Sequence, residues 1–114
     1  MIKIWVDDER PMPDSYDIAC MTVYETIAEI AWWLSKGKDV LIDLDHDAGD
    51  MYRETGGGDY INILKAYVAG WGECMCHMQN VKLKVRFHSA NPVGVKNMRT
   101  IVKNCPWMVE VKDA

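Results

Sequence analysis

The 114-residue sequence has no apolar stretch of the roughly 18–20 residues that cross a bilayer. Its first residues, MIKIWVDDERP, carry acidic side chains where a secretory signal would carry basic ones. A basic tail is also missing, and 13 basic against 17 acidic side chains give a formal net charge of −4. These absences argue against a membrane protein and against a protein that holds a long nucleic-acid duplex through many phosphates. We therefore expect one cytoplasmic domain over residues 1–114.

The chain has four cysteines. In a cytoplasmic protein of this size they are expected to be free thiols rather than two disulfides. Cys74, Cys76 and His77 have the atoms for a zinc site that Cys20 or Cys105 could complete. The second spaced pair of a structural zinc site is missing, however, so zinc is a minor alternative.

Five short stretches rich in apolar and β-branched residues predict strands. They are Ile2–Val6, Ile18–Val23, Val40–Leu44, Val81–Phe87 and Trp107–Val111. The third is almost wholly apolar, as a buried parallel strand is, and the fourth alternates apolar with basic side chains, as a half-exposed strand does.

Apolar residues at helical spacing predict three helices between these strands. In the first, Thr26 and Glu29 have the spacing of a capping box. The second runs from Tyr60 to Val68 after a long loop, 45–58, and the third begins after Asn91, an N-cap residue that a proline follows. Strands that alternate with helices predict an α/β domain with a mostly parallel five-stranded sheet and about three helices.

Three predicted strands end in polar clusters, which are Asp7-Asp8, Asp45-His46-Asp47 and His88-Ser89-Ala90-Asn91. The carboxyl ends of parallel strands share one edge of the sheet, where such folds bind ligands, so we expect the three clusters to meet there. Asp43, inside the third strand, is expected to be structural, and Asp50 to be a solvated loop residue.

Crowded carboxylates repel one another unless some bind protons or a cation holds them together. A divalent cation, Mg²⁺ or Mn²⁺, is the better explanation here, because such ions prefer oxygen ligands and often bind a phosphate as well. The side chains of Arg10, Ser89 and Asn91 could donate to that phosphate, and His46 and His88 are candidates for proton transfer.

Plainer interpretations of the same residues stay open. An aspartate pair after a strand can be a turn or a cap, and a histidine that ends a strand can bond a backbone group. Arg10 could form a surface ion pair with Glu9 or Asp14. Ser89 and Asn91 could do nothing more than cap the third helix.

The stretches IWVDDERPMP, LIDLDHDAGD…TGGGDY and FHSANPVGVKNM together resemble the cyclic-phosphate-processing receiver-like domains, which are related to the receiver domains of response regulators. The resemblance spans nearly the whole chain and implies a three-layer, flavodoxin-like fold. It also implies that Asp7 and Asp8 match the metal-binding acidic pair of receivers, Asp45 the phosphoryl-accepting aspartate, and Ser89 the hydroxyl that contacts the phosphoryl group.

Five further residues match positions that are characteristic of the cyclic-phosphate-processing group: His46, Asp47, His88, Asn91 and Asn97. The lysine of ordinary receivers is missing, because the last predicted strand is followed by Lys112 without the usual proline. The added histidines and the missing lysine favour hydrolysis or transfer over phosphorelay signalling.

These observations predict a metal-dependent phosphoesterase that processes a cyclic phosphate on a nucleotide or an RNA end. Asp7, Asp8 and Asp45 would hold Mg²⁺ or Mn²⁺, and His46, Asp47 or His88 would take part in the chemistry. The residues expected to bind the substrate phosphate are Arg10, Ser89, Asn91 and Asn97. Asp45 could instead attack the phosphorus directly. The alternative is a non-catalytic module that binds a phosphorylated or cyclic nucleotide, or that docks on a protein through tryptophans 32, 33 and 71.

Overall fold

The computed structural model describes residues 1–71 and 82–112 of the chain. Within them, five strands form one sheet: β1 (Ile2–Val6), β2 (Ile18–Cys20), β3 (Val40–Leu44), β4 (Leu83–Phe87) and β5 (Met108–Glu110). The spatial order is β2-β1-β3-β4-β5, and every neighbouring pair is parallel. The predicted α/β class with a parallel five-stranded sheet is confirmed.

The helices of the described residues are α1 (Val23–Ser35), α2 (Asp50–Gly56), α3 (Ile61–Ala66) and α4 (Pro92–Lys103). Tyr67–Trp71 continues from α3 as a kinked turn in which Gly70 has a non-helical backbone (φ 137°, ψ −33°). The three predicted helices correspond to α1, α3 with this turn, and α4. None of the helices in the described part of the chain has both the length and the apolar character needed to span a bilayer.

Helix α2 lies in the segment that the sequence predicted as a loop, so that prediction was wrong for residues 50–56. Gly57 ends the helix with a left-handed backbone (φ 102°) that favours glycine, and its N–H bonds the carbonyl of Arg53. Asp50 therefore belongs to the first turn of a helix, although its side chain is exposed, as expected, and pairs with Arg53 at 3.2 Å.

The start of α1 also differs from the prediction. The capping residue is Thr22, whose hydroxyl oxygen accepts from the backbone N–H of Glu25 at 3.1 Å, and the Glu25 carboxylate accepts from the N–H of Met21 at 2.6 Å. Strand β2 accordingly ends at Cys20 rather than Val23. The sequence contains two Thr-x-x-Glu patterns four residues apart, and the helix begins at the first of them.

The core lies between one face of the sheet and helices α1, α3 and α4. Ile4 and Val6 of β1, Ile42 and Leu44 of β3, and Val85 of β4 pack there with the apolar faces of the helices. The opposite sheet face carries the alternate residues, which include a row formed in register by Trp5, Asp43 and Arg86. This second face therefore brings polar and aromatic side chains together beside the strand ends.

Several predictions concern residues outside the described part of the chain: Cys74, Cys76, His77, Val81 and the side chain of Trp71. The two described cysteines, Cys20 and Cys105, are free and buried. Burial raises the pKa of the Cys20 thiol to about 12, so this thiol is a packing residue.

Candidate functional site

Asp7, Asp8 and Asp45 meet at the carboxyl ends of β1 and β3. One carboxylate oxygen of each lies within 4.8 Å of the others. The ends of the two strands are tied together, because the N–H of Asp45 donates to the carbonyl of Val6 at 3.0 Å. The predicted convergence of these aspartates is therefore present in the structure.

Asp8 and Asp45 are partly exposed and have few hydrogen-bond partners. One oxygen of Asp8 accepts from the N–H of Gly49 at 2.9 Å, and the other lies 3.4 Å from the hydroxyl of Tyr60. Oδ1 of Asp45 accepts from the N–H of His46, and Oδ2 makes no hydrogen bond with a described residue. Burial raises the pKa of Tyr60, and the charge of Asp8 raises it further. The phenol therefore stays a neutral hydrogen-bond donor.

Asp7 is buried and fully engaged. Its Oδ1 accepts from the N–H groups of Glu9 and Arg10 at 2.8 and 3.0 Å, and its Oδ2 lies 2.8 Å from Nε2 of His88. Burial alone would raise the pKa of Asp7, but the two N–H donors and His88 outweigh it and lower the pKa below the usual range. Asp7 is thus held in the charged form and in one orientation.

His88 lies behind the cleft, on the second face of the sheet. Its Nδ1 is 2.7 Å from Oδ1 of Asp43, its Nε2 contacts Asp7, and its ring stacks on Trp5 at 3.8 Å with an interplanar angle of 7°. Its backbone carbonyl accepts from the guanidinium of Arg10 at 2.7 Å. The imidazole is therefore fixed on both nitrogens and on one face, and Arg10 bonds the strand end rather than Glu9 or Asp14.

Asp43 was expected to be structural, and its partners show how. Besides His88, it accepts a short hydrogen bond from the hydroxyl of Tyr16 and lies 3.7 Å from the guanidinium of Arg86. Burial, and after it the bond to Asp43, raises the pKa of Tyr16 to about 12. The sequence signal for this cluster was an aspartate inside an apolar strand, but the partners Tyr16 and Trp5 were not predicted.

His46 and Asp47 form a pair on the other side of the strand ends, with Nδ1 and Oδ1 2.6 Å apart. The bond to His46 is the largest cause that lowers the pKa of Asp47. The His46 ring packs against α4 at Gly94, where a Cβ atom would lie 2.4 Å from the ring. The amide of Asn91 approaches the same nitrogen at 3.5 Å. Asp47 is exposed, whereas most of His46 is covered.

Asp59 is a further acidic residue that the sequence did not single out. Its Oδ1 accepts from the N–H of Ala48 and from the guanidinium of Arg53, both at 3.0 Å. His46, Asp47 and Asp59 have ligand atoms within 4.8 Å of one another. Asp59 is already paired with Arg53, and Asp47 already bonds His46, so this group fits a cation less well than the three strand-end aspartates.

A polar cleft of about 360 Å³ opens beside the three aspartates. Its lining consists of Glu9, Arg10, Asp45, Asp47, Ala48, Gly49, Ser89, Ala90 and Asn91. Five predicted site residues thus line it: Arg10, Asp45, Asp47, Ser89 and Asn91. Asp7, Asp8, His46 and His88 lie next to the lining without forming it.

Ser89 and Asn91 organise the start of α4, as the plainer interpretation expected. The Asn91 side chain caps the helix by accepting from the N–H of Gly94 at 2.9 Å, and the Ser89 hydroxyl oxygen accepts from the N–H of Asn91 at 3.0 Å. Both residues also line the cleft, so capping and ligand binding do not exclude each other. Asn97 is exposed on α4 and is not among the lining residues.

Arg10 is the cationic residue among those that line the cleft. Lys112, which follows the last strand, is exposed and lies 3.7 Å from a carboxylate oxygen of Glu110. Hard divalent cations bind two or three carboxylate oxygens such as those of Asp7, Asp8 and Asp45, so the donor set fits Mg²⁺ or Mn²⁺.

A parallel sheet in the order β2-β1-β3-β4-β5, with an acidic cluster at its carboxyl edge, defines a receiver-like α/β domain. Residues 2–104 match the family model described as the cyclic-phosphate processing receiver domain. The chain therefore belongs to the cyclic-phosphate processing receiver family. Comparisons with curated proteins and with solved structures find no significant match.

Proposed function

We propose that the cleft binds a divalent cation, Mg²⁺ or Mn²⁺, and processes a cyclic phosphate on a nucleotide or an RNA end. The observation that carries this proposal is the position of the three aspartates, whose oxygens lie within 4.8 Å of one another beside a polar cleft that also contains a guanidinium and a hydroxyl. A cation there would offset the acidic charge and stabilise the phosphoryl oxygens. Family membership supports a cyclic phosphate as the substrate class.

The phosphate donors would be Arg10, Ser89 and Asn91, since each keeps donor capacity after its structural bonds are counted. One guanidinium nitrogen of Arg10 bonds the carbonyl of His88, which leaves the other N–H groups of the fork. The Ser89 oxygen accepts one bond and keeps its O–H. Asn91 uses its oxygen as the helix cap, and since its amide nitrogen carries two N–H groups, the approach to Nδ1 of His46 at 3.5 Å leaves one of them to donate.

The reaction would be hydrolysis. Water attacks the phosphorus, one ring P–O bond breaks, and the departing ribose oxygen takes a proton, which leaves a phosphomonoester. We assign proton transfer to the His46–Asp47 pair, because Asp47 lines the cleft and His46 is bonded to it. His88 contacts a carboxylate at each ring nitrogen, so we assign it to holding Asp7 in place rather than to proton transfer. In the alternative route Asp45 would attack the phosphorus as the ring P–O bond breaks, and water would then hydrolyse the aspartyl-phosphate to release the phosphomonoester and restore the carboxylate; its Oδ2 has no hydrogen bond with a described residue.

The test is turnover of 2′,3′-cyclic and 3′,5′-cyclic nucleotides, and of a short RNA with a 2′,3′-cyclic end, in Mg²⁺ or Mn²⁺, followed by phosphorus NMR. We expect the ring-opened monoester with the native protein and none above background with Asp45→Asn. Asp50→Asn is the matched control, because Asp50 is exposed on α2, and it should behave like the native protein. The proposal fails if no substrate turns over while a known phosphodiesterase works in the same buffer.

A binding module without chemistry is the second candidate, and the absence of both histidines from the cleft lining among the described residues favours it. Calorimetric titration with the same nucleotides separates the two functions. Saturable binding that leaves the nucleotide intact after prolonged incubation would assign the binding module, whereas product formation would assign the enzyme.

A further inference from the structure

A continuous chain of side-chain hydrogen bonds runs from the second face of the sheet to the acidic cluster. Tyr16 donates to Asp43, Asp43 lies 2.7 Å from Nδ1 of His88, and Nε2 of His88 lies 2.8 Å from Asp7. Asp43 is 1% exposed and Asp7 4% exposed. Two buried aspartates from neighbouring strand segments are thus joined through one imidazole.

Asp43 lies outside the cleft lining and outside the group of three aspartates. The resemblance assigns it no metal-binding or phosphate-binding role, although it lies within the stretch LIDLDHDAGD. A buried carboxylate is costly unless several donors satisfy it, and an apolar residue would fit the rest of β3 better. Its presence in a strand that is otherwise Val, Leu and Ile therefore points to a role that an apolar residue could not perform.

We propose that Asp43 is a positioning residue that acts through His88 on Asp7. It fixes the imidazole with Nε2 directed at Asp7, and so keeps the Asp7 carboxylate in the orientation that places it beside Asp8 and Asp45. The inference rests on the proposed function to the extent that the three aspartates hold a cation. The positioning itself can be measured without one.

The contacts around His88 show why Asp43 sets the orientation of the ring. Stacking on Trp5 fixes the plane of the imidazole but leaves it able to turn by a ring flip. The Asp43 carboxylate removes that freedom, because it holds Nδ1 on one side and is itself held by Tyr16. Outer-shell partners of this kind orient metal-binding groups in many proteins.

Asp7 provides a reporter of its own orientation. The backbone N–H groups of Glu9 and Arg10 both donate to Oδ1 of Asp7, so their NMR signals change if the carboxylate turns. These amides report on Asp7 in cation-free protein. They also separate positioning of Asp7 from a general loss of structure, which would move signals throughout the sheet.

The experiment compares Asp43→Asn with Asp39→Asn by amide NMR without a cation, and then by calorimetric titration with Mn²⁺. Asp39 is the matched control, since it precedes the same strand and forms only a partly exposed ion pair with Lys84 at 3.6 Å. We expect Asp43→Asn to shift the Glu9 and Arg10 signals and to weaken Mn²⁺ binding about tenfold, the lower end for outer-shell changes. Asp39→Asn should do neither.

Two further variants keep the inference testable if Asp43→Asn folds poorly. Tyr16→Phe removes only the phenol that steadies Asp43, and it should shift the same two signals by a smaller amount. In a His88→Gln background, Asp43→Asn should weaken Mn²⁺ binding no further, because Asp43 acts through His88. An equal loss in both backgrounds would overturn the inference in favour of a direct charge effect.

The outcomes separate this inference from the proposed function. Unchanged Glu9 and Arg10 signals in folded Asp43→Asn and Tyr16→Phe would overturn the positioning of Asp7, whatever the native protein binds. If those signals shift but the native protein binds no Mn²⁺, the positioning stands and the proposed cation site fails.

Discussion

Two groups of aspartates lie at the same edge of the sheet and differ in how they are satisfied. On the second face, Asp43 and Asp7 are buried, and both oxygens of each carboxylate have a hydrogen-bond partner. On the cleft side, Asp45 is partly exposed with one oxygen free of hydrogen bonds to described residues, and the Asp47 side chain is 57% exposed. Asp43 is supporting structure, Asp7 belongs to the three-aspartate cluster and is held in place by its partners, and the cleft-side carboxylates are open to a ligand.

This difference shows that the aspartates clustered at the strand ends do not all have the same role. Three acidic residues of one short segment have different surroundings: Asp43 contacts His88 on the second face, whereas Asp45 and Asp47 line the cleft, Asp47 beside a second histidine. Replacing the buried Asp43 should therefore change mainly the stability of the protein, and replacing a cleft-side aspartate should change mainly ligand binding.

The largest expected effect comes from the same substitution, aspartate to alanine, made once on the buried side and once on the cleft side. Asp43→Ala leaves the Tyr16 hydroxyl and one nitrogen of His88 without their partner in a buried place, and it should lower the free energy of unfolding by about 3–5 kcal/mol. Asp47→Ala, at an exposed position, should change it by no more than about 0.5 kcal/mol. Urea denaturation measures both, and similar losses for the two variants would remove the distinction.

Close packing behind the cleft gives the next largest effect. Gly94→Ala places a Cβ atom 2.4 Å from the His46 ring, so α4 or the ring must move. We expect a loss of about 1–3 kcal/mol in the free energy of unfolding. Val93→Ala, one residue earlier and largely exposed, is the control. A Gly94→Ala protein as stable as the control would show that His46 is not held by this contact.

The clustered carboxylates of Asp7, Asp8 and Asp45 should repel one another and so destabilise the protein when no cation is bound. Asp45→Asn removes one of three neighbouring charges, so in chelator-treated buffer it should raise the free energy of unfolding by about 1 kcal/mol. Mg²⁺ should raise the melting temperature of the native protein but not that of Asp45→Asn. A loss of stability on this substitution, measured by the same thermal unfolding, would place Asp45 with the supporting group.

The smallest expected effect is a difference between the two groups in how the stability of the protein changes at acid pH. The pKa of Asp7 is lowered in the folded protein, so its contribution to stability is complete above the pKa of an unfolded aspartate and is lost as the pH falls through the folded value. The pKa of Asp47 is also lowered, but solvent screens this exposed group. Asp7→Asn should therefore flatten the acid limb of a stability–pH profile more than Asp47→Asn does.

The sequence predicted the sheet and the meeting of the strand ends because both follow from local patterns and from the geometry of parallel strands. Short apolar runs locate the strands, and the clusters after β1, β3 and β4 must then share an edge. Helix α2 escaped prediction because seven residues hold little periodicity and its end depends on a glycine backbone conformation. The start of α1 was misplaced because two equivalent capping patterns compete there.

The division of the site into two groups could not be predicted. It depends on which face of the sheet His88 turns toward, and on Tyr16 and Trp5, which lie far from His88 in sequence and carry no motif. His88 was expected to take part in chemistry from its place at a strand end. That role stays a prediction, and the contacts of both ring nitrogens with buried aspartates favour support of Asp7.

Calorimetric titration of Mg²⁺ into the native protein, Asp45→Asn and Asp50→Asn tests the central claim, that Asp7, Asp8 and Asp45 form a cation site. We predict one site on the native protein and on Asp50→Asn, with binding strongly weakened in Asp45→Asn. Binding of equal strength in all three proteins, or no binding to the native protein under conditions where a known Mg²⁺ site titrates, would contradict the claim.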